Sequence, residues 1–402
     1  MRKRKIVFTA AFVIIFCCSA SAAFSVFSQP LQEATGGSAS QVALTLTIYQ
    51  TFMALFGILS GKIVDRSGPK KLMFVGGIVF GLGWLLTAFA SSIPMLYLTT
   101  GLIAGAGNGL LYNPSLNLAL KWFPEKKGTI SGLLLTSASI GPLVLSKVGA
   151  MLCEAMGTNG FIYIGLAYAV LVCIGSMFVA SPEEGWIPDG FENSQQVTRQ
   201  LVQDATPGEM VKTVKFWVML ILFALSCTAG IMMIGSLSTI AQTQLEIDPI
   251  TASNFVAVNC IANLCGRLMI GKFCDKVGEA NTLIGILIVT VISLFGLNIA
   301  GNNIALFTIC LILLGGAFGG VLVVYPPLTA KNFGMKNQGM NYGIMFFAYA
   351  IGSLLGPQIA ARFVNNQAGI MAYSQVYMVA IGVAIIGLIF NFVLIKMMKE
   401  GK

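Results

Sequence analysis

Twelve apolar runs of about 20 residues each dominate this chain of 402 residues. A helix of that length spans the hydrocarbon core of a bilayer. The charge content agrees, because only 10% of the residues are charged, whereas soluble chains carry about 25%. The sequence therefore predicts an all-α polytopic membrane protein with twelve transmembrane helices. The runs lie approximately at residues 6–28, 42–63, 72–90, 94–118, 128–152, 160–180, 215–243, 250–273, 281–300, 304–330, 339–363 and 371–396.

The basic residues predict how the chain is threaded through the membrane. An even number of spans puts both termini on one side, and 21 of the 24 Lys and Arg residues fall in the termini and loops of that side. Short cytoplasmic loops are enriched in these residues. We therefore expect both termini to lie in the cytoplasm. We expect the protein itself to reside in the plasma membrane. The net charge of +9 then reflects topology, and no nucleic-acid partner is expected.

The N-terminus imitates a signal peptide, since four basic residues precede an apolar run and the small residues at 19–23. Cleavage would leave eleven spans and would destroy the alternation of basic and non-basic loops. We therefore expect the first span to be retained.

Several classes of chemistry have no support in the sequence. Histidine is absent, which excludes an imidazole base, a histidine metal ligand and a histidine proton relay. The nine cysteines form no CxxC pair and mostly lie in apolar runs, where cysteine behaves as a small hydrophobe. There is no nucleophile elbow either. We expect no metal, no cofactor and no enzymatic activity.

Three motifs recur at similar offsets along the chain, which indicates an internal duplication. The polar linker at 181–214 separates two halves, and we predict six-helix domains at 1–180 and 215–402. The recurring pairs are Gly61–Gly68 with Gly271–Gly278 at an offset of 210, Tyr112-Asn113-Pro114 with Tyr325-Pro326-Pro327 at 213, and Gly141-Pro142 with Gly356-Pro357 at 215, the last pair followed by Lys147 and Arg362.

The duplicated G-x-x-x-D-[RK]-x-G motif resembles the signature loop between helices two and three of the major facilitator superfamily. The resemblance implies the major facilitator fold, with two pseudo-symmetric six-helix bundles and a binding site near the membrane midplane. It also implies a cytoplasmic charge latch that rearranges during transport. The residues that match this gating motif are Gly61, Asp65 and Arg66 in the first half, and Gly271, Asp275 and Lys276 in the second.

A narrower resemblance covers most of the chain. Segments after span six and in spans seven and eight are similar to the oxalate/formate antiporter group, which is related to the monocarboxylate transporters. The resemblance implies transport of small carboxylates. These segments are Pro182–Gly190, Thr206–Met210, Lys215-Phe216-Trp217, Asn263 and Gly266-Arg267.

The chain departs from this group in helix eleven, where the oxalate exchanger is expected to carry a second intramembrane cation, a lysine. Helix eleven here contains no lysine between Asn341 and Ala350, and Tyr349 stands near the expected place. A dicarboxylate would lose one of two cationic partners. This difference favours a monocarboxylate over oxalate.

Arg267 is the most deeply placed cation of the sequence. A charge at membrane depth costs at least about 2.5 to 3.5 kcal/mol on insertion scales, and its persistence indicates a functional site. Arg267 precedes Asp275 by eight residues, or about 12 Å of helix, and it shares a face with Asn259 and Asn263. All 15 acidic residues fall in loops, in the linker or at helix ends. We expect Arg267 to bind a carboxylate in bidentate geometry, with Asn263 beside it.

Other polar residues allow two interpretations each. Tyr112, Tyr325 and Tyr349 either hydrogen-bond the same carboxylate or pack with their hydroxyls on neighbouring backbone. Lys147 and Arg362, about five and two residues from the predicted outer helix ends, either extend to the interface or attract anions to the outer mouth.

These features predict a secondary transporter of a small organic anion, a monocarboxylate such as lactate, pyruvate or formate. We expect a monomer that works by rocker-switch alternating access in the lipid bilayer. Exchange is the simplest mechanism, because an empty Arg267 is costly to enclose; proton symport stays open. The alternatives are a major facilitator that carries another small solute, drug-like or nucleoside, and a non-transporting sensor with the same fold.

Overall fold

The computed structural model describes residues 2–183, 186, 204–234, 236–364 and 373–400. The chain forms two compact units, of which the first contains Met1–Pro207 and Thr329–Phe347, and the second contains Gly208–Leu328 and Ala348–Lys402. The boundaries at 1–180, 181–214 and 215–402 stay a prediction. Most of the predicted linker, including residues 187–190 of the Pro182–Gly190 segment, lies outside the described residues.

Long helices make up most of the first unit. Two segments deviate from the α-helix: Ser19–Phe27 is a 3₁₀-helix, and Tyr97–Ala104 is a π-helix. The α-helices are α1 Arg2–Cys18, α2 Ser28–Thr35, α3 Ala39–Ser67, α4 Pro69–Leu86, α5 Ile93–Leu96, α6 Gly105–Gly109, α7 Tyr112–Trp122, α8 Lys127–Met156 and α9 Gly160–Met177.

Helices also make up the described part of the second unit. Residues 329–333 and 338–347, at the end of α15 and the start of α16, belong to the first unit. The remaining helices are α10 Pro207–Lys212, α11 Val214–Ile234, α12 Leu237–Leu245, α13 Pro249–Val277, α14 Glu279–Ile299, α15 Ile304–Phe333, α16 Gln338–Phe363 and α17 Ser374–Lys399.

The helices agree with the predicted spans. Ten helical stretches in the described part of the chain are long and apolar enough to cross a membrane. One of these stretches, Pro124–Met177, contains both α8 and α9. The fourth predicted span is also helical but is divided into short pieces. The prediction of an all-α polytopic membrane protein is confirmed.

The fourth span, predicted at 94–118, was expected to be one helix and is interrupted at Leu110 and Leu111. Pro114 explains the interruption, because proline has no N–H and its ring clashes with the carbonyl four residues earlier, which is that of Leu110. The first and seventh spans are also divided, after Cys18 and after Ile234. Apolar composition predicts a span but is insensitive to such interruptions.

The last glycine of each signature motif forms the turn between two helices. Gly68 and Gly278 have φ angles of 78° and 90°, a region that glycine enters without the steric cost of a side chain. α3 ends at Ser67 and α4 begins at Pro69, while α13 ends at Val277 and α14 begins at Glu279. The duplicated sequence therefore makes the same tight turn in both units.

Glycines on α6 and α15 allow the helix backbones to touch, as is common between membrane helices. A Cβ atom added at any of four glycines would collide with the neighbouring helix, α3 or α13. The equivalent contacts in the two units are all related by an offset of 210 residues. They are Gly105 with Tyr49, Gly109 with Met53, Gly315 with Asn259, and Gly319 with Asn263.

The offset of these glycine contacts differs from the offset of the tyrosine motif in the repeat. At an offset of 210, Tyr112 aligns with Leu322, and Tyr325 aligns with Ser115. The tyrosine match has an offset of 213 and lies beyond the interruption at Leu110 and Leu111, so the equivalence of Tyr112 and Tyr325 stays a prediction.

Candidate functional site

Arg267 is buried in the middle of α13. Its residual exposure is 9%, and it lies ten residues before the helix end at Val277, or about 15 Å along the axis. Each acidic residue in the described part of the chain lies outside the long helices or within three residues of a helix end. The structure therefore places this cation deep in its helix, as expected from the sequence.

Tyr349 lies close enough to Arg267 for the charge of the guanidinium to act on its hydroxyl group. Tyr349 is half-buried near the middle of α16. The charge of Arg267 also acts on the thiol of Cys260, which lies on α13. A guanidinium and a phenol both donate hydrogen bonds to a carboxylate. Arg267 and Tyr349 together form the candidate anion site of the second unit.

The polar face of α13 is partly used for helix packing. Asn259 and Asn263 share this face with Arg267, at intervals of four residues. The carbonyl of Asn263 contacts Gly319 of α15, and the side-chain oxygen of Asn259 lies at Gly315. Asn263 is half-buried, and the contact seen for it is made by its backbone. Its predicted role beside the substrate stays a prediction.

The structure places Tyr325 against α11. Its ring stacks on Phe223 with centroids 3.8 Å apart and an interplanar angle of 14°. Its hydroxyl is 3.4 Å from that of Ser226, and the residue is fully buried. These contacts pack the ring of Tyr325 within the second unit and pair its hydroxyl with a side chain, and its predicted role beside the substrate stays a prediction.

Tyr112 belongs to the first unit, where it begins α7 directly after the interruption of the fourth span. Its ring contacts Phe346 with centroids 5.5 Å apart, and Phe346 in turn contacts Tyr342 at 5.8 Å. The aromatic contacts therefore connect α7 to the first half of α16.

Asp65 forms a latch between α3, α7 and α16. Its carboxylate accepts a hydrogen bond from the Met340 backbone N–H at 3.1 Å and pairs with Lys121 at 3.2 Å. α16 begins at Gln338, so Met340 lies in its first turn, where backbone N–H groups have no partner within the helix. Asp65 thus supplies an acceptor and a negative charge to the positive end of the α16 dipole.

Gly61 allows this latch to close. A Cβ atom added at Gly61 would collide with the backbone of Gly339, and one added at Gly343 would lie 2.9 Å from the carbonyl oxygen of Gly57. α3 and α16 therefore meet backbone to backbone over more than one turn. Arg66, also predicted to take part in gating, is exposed.

The second copy of the motif has a different environment. Gly271 is buried, but Asp275 and Lys276 are exposed at the end of α13. By contrast, only 7% of the side-chain surface of Asp65 is exposed to solvent. The two copies of one sequence motif are therefore unequal in the folded chain.

The two predicted outer cations are both exposed. Arg362 is the penultimate residue of α16, close to the predicted position. Lys147 lies nine residues before the end of α8 at Met156, not five, because the helix continues beyond the predicted span. Both interpretations of these cations stay open.

Sequence reasoning missed two sets of contacts in the first unit. Lys121 and Met340 were not recognised as partners of Asp65, because the Met340 contact uses a backbone N–H that no side-chain pattern reveals. The second set is a buried amide bond, in which Asn108 donates to Tyr49 at 2.6 Å and to the Cys18 carbonyl at 2.8 Å.

Helical membrane spans, a duplicated turn motif and a buried arginine define a class, the polytopic helical membrane proteins with an internal repeat. The sequence profile of the Major Facilitator Superfamily matches residues 9–357, with a second match at 226–400. The chain is 30% identical over 331 residues to the uncharacterized MFS-type transporter YhjX of Escherichia coli strain K12, covering 82% of this chain and 81% of that protein. The chain belongs to the major facilitator superfamily.

Two further likenesses agree with this membership. The chain is 26% identical over 363 residues to the oxalate:formate antiporter of Oxalobacter formigenes, covering 88% of this chain and 84% of that protein. A crystal structure of the major facilitator superfamily transporter FucP in the outward conformation matches with a TM-score of 0.72 and 15% identity, over 97% of this chain and 99% of that one. The likeness to FucP supports the fold alone, and it confirms the predicted major facilitator fold.

Proposed function

We propose that this protein is a secondary transporter that moves a small monocarboxylate, such as lactate, pyruvate or formate, by rocker-switch alternating access. The observation that carries the proposal is the burial of Arg267 at mid-helix, within reach of Tyr349. A carboxylate matches the planar pair of donors of a buried guanidinium. The relative named as an oxalate:formate antiporter supports the same class of substrate.

The charge of the site favours a monoanion. In the described part of the second unit, Arg267 is the one cation more than six residues from a helix end. A dicarboxylate with a single cationic partner would retain an uncompensated charge in a medium where charge is costly. Tyr349 adds a neutral donor, which can orient the carboxylate without adding charge.

The latch supplies a conformational step for this mechanism. Asp65, Lys121 and the first turn of α16 lie on the side predicted to face the cytoplasm. Only 7% of the Asp65 side chain and 20% of the Lys121 side chain are exposed, so the attraction within this ion pair is largely offset by the cost of desolvating both charges. The latch can therefore break and reform during a transport cycle, when water reaches the separated charges. Substrate binding at Arg267 would add an opposite charge to a guanidinium that is 9% exposed, and this charge compensation favours exchange over the return of an empty carrier.

Uptake and counterflow of labelled carboxylates in proteoliposomes test the proposal. Arg267→Gln is expected to abolish uptake while the protein stays folded, and Arg267→Lys to reduce uptake about 100-fold or more, because lysine cannot form the bidentate pair. Lys399→Gln, which removes an exposed cation at the end of α17 in the same unit, is the matched control. It should keep at least about half of the wild-type rate.

Either of two results would contradict the proposal. One is undiminished uptake by a folded Arg267→Gln variant, which would remove the arginine from the mechanism. The other is thermal stabilisation of the wild type by hydrophobic cations or nucleosides and by no carboxylate, which would favour a carrier of another solute. Counterflow without a proton gradient would indicate exchange, whereas dependence on the gradient would indicate symport.

A further inference from the structure

The end of the predicted linker makes four hydrogen bonds to the turn between α15 and α16. Two consecutive residues, Asp204 and Ala205, make all four, and we call this set of contacts the linker clip. The Ala205 N–H donates to the Phe333 carbonyl at 3.0 Å, and the Lys336 N–H donates to the Asp204 carboxylate at 3.1 Å. The side-chain amides of Asn337 and Asn341 both donate to the Ala205 carbonyl, at 3.2 Å and 3.1 Å.

The linker clip holds the same turn of helix that the latch uses. Asn337 immediately precedes α16, and Asn341 immediately follows Met340, whose N–H binds Asp65. Two anchors, a carboxylate from α3 and a carbonyl from the linker end, therefore act on one turn. Because a helix turn moves as a unit, displacement of Met340 from Asp65 would also displace the two asparagine amides from Ala205.

Asn341 has a feature that packing alone does not explain. The residue is fully buried, and its side-chain oxygen has no hydrogen-bond partner among the described residues. A buried amide with one unsatisfied atom is less favourable than an apolar residue of similar shape. The hydrogen bond that the Asn341 side chain does make runs from its amide to the Ala205 carbonyl. This bond joins the end of the linker to the first turn of α16.

The start of the linker contacts the other side of the latch. The ring of Trp186 lies 5.1 Å from that of Trp122, and the Arg4 guanidinium lies 5.4 Å from Trp186. Trp122 follows Lys121, the cationic partner of Asp65. The described parts of the linker are thus bound next to both partners of Asp65.

We propose that Asn337 and Asn341 are positioning residues of the latch: they hold the Ala205 carbonyl and thereby keep the first turn of α16 where the Met340 N–H meets Asp65. The end of the linker then sets the fraction of molecules that are latched. This inference rests on the proposed function only for its consequence in transport. The contact between clip and latch can be measured without any substrate.

Hydrogen exchange followed by mass spectrometry on the full chain in nanodiscs tests the coupling. Asn341→Leu and Asn337→Ala each remove one donor, and each should speed exchange in the peptide that spans residues 338–341 by about 2- to 10-fold, the effect of one hydrogen bond on an opening equilibrium. Asn281→Ala removes a comparable amide-to-carbonyl bond on α14 and should leave this peptide unchanged. Unchanged exchange in α14 peptides of the clip variants verifies that they are folded.

A double-mutant cycle separates positioning from general loosening. In an Asp65→Ala background, where both the ion pair to Lys121 and the acceptor for the Met340 N–H are lost, each clip variant should increase the exchange rate by a smaller factor than it does in the wild type. Strictly additive effects, or wild-type exchange in both clip variants, would overturn the proposal. If the wild type transports no carboxylate but the cycle shows coupling, the proposed function fails and the positioning role stands.

Discussion

Arg267 and Tyr349 show how a single charged residue constrains its surroundings. Arg267 is buried at mid-helix, and Tyr349 lies within its electrostatic reach. The sequence predicted Arg267, because a cation in an apolar run is conspicuous. It named three tyrosines without a means to choose among them. The structure brings Tyr349 within the electrostatic reach of Arg267, and it packs Tyr325 against Phe223 and Tyr112 against Phe346.

Tyr349→Phe tests this assignment at the level of one hydroxyl group. The change should raise KM for the carboxylate about tenfold, since a hydrogen bond to a charged group contributes about 1.5 to 3 kcal/mol, with little effect on folding. The measurement is the rate of carboxylate uptake by proteoliposomes as a function of substrate concentration.

Tyr377→Phe is the matched control. The Tyr377 hydroxyl donates to Gln244 at 2.6 Å inside the second unit, so its loss should lower the thermal unfolding temperature and leave KM unchanged. If Tyr349→Phe instead behaves like Tyr377→Phe, the Tyr349 hydroxyl has a structural role only.

At the scale of elements, glycines determine where helices touch. The contacts of α6 with α3 and of α15 with α13 share one register, and Gly61 brings α3 onto the first turn of α16. The sequence predicted Gly61 and Asp65 as gating residues through the motif, but it predicted their second copies equally. Only the packed helices distinguish the nearly buried Asp65 from the exposed Asp275.

Gly61→Ala should open the latch, because the added methyl group overlaps the Gly339 backbone, which cannot move aside as a flexible side chain would. We expect faster hydrogen exchange at 338–341 and a loss of uptake of about tenfold or more, since α3 and the first turn of α16 can no longer pack backbone to backbone on the predicted cytoplasmic side.

Gly285→Ala provides the comparison for this prediction. A Cβ atom at Gly285 meets nothing within 4 Å, and alanine is the better helix former by roughly 0.5 to 1 kcal/mol. This variant should match the wild type in exchange and uptake. Equal behaviour of Gly61→Ala and Gly285→Ala would show that backbone contact at Gly61 is dispensable.

For the whole molecule, the predicted fold is confirmed by the family profile and by the likeness to FucP. The number of spans could be predicted because the membrane imposes a helix length on the sequence. The interruptions of three spans could not be predicted in the same way, since a break at a proline or a 3₁₀ segment leaves the apolar composition unchanged. The orientation in the membrane is still a prediction from the basic residues.

Epitope tags at the two termini test that orientation. An added protease should remove both tags from inside-out vesicles and neither tag from intact spheroplasts, because 21 of the 24 basic residues lie on the side of the termini. A tag inserted in the short loop at residues 91–93, on the opposite side, should show the reverse pattern. Digestion of a terminal tag in intact spheroplasts would refute the predicted topology.

The sequence by itself determined the helical membrane class, the predicted threading, the duplication and the depth of Arg267 along its helix. Each of these follows from local properties, namely apolar length, charge position and motif spacing. Tertiary structure decided which of the three tyrosines comes within the electrostatic reach of Arg267. It also decided that Asp65 binds a backbone N–H 275 residues away, and that the glycine contacts of α6 and α15 are related by an offset of 210 residues. The physical reason is that such contacts depend on how closely helix backbones approach, and glycine contacts between helices distant in sequence set that approach.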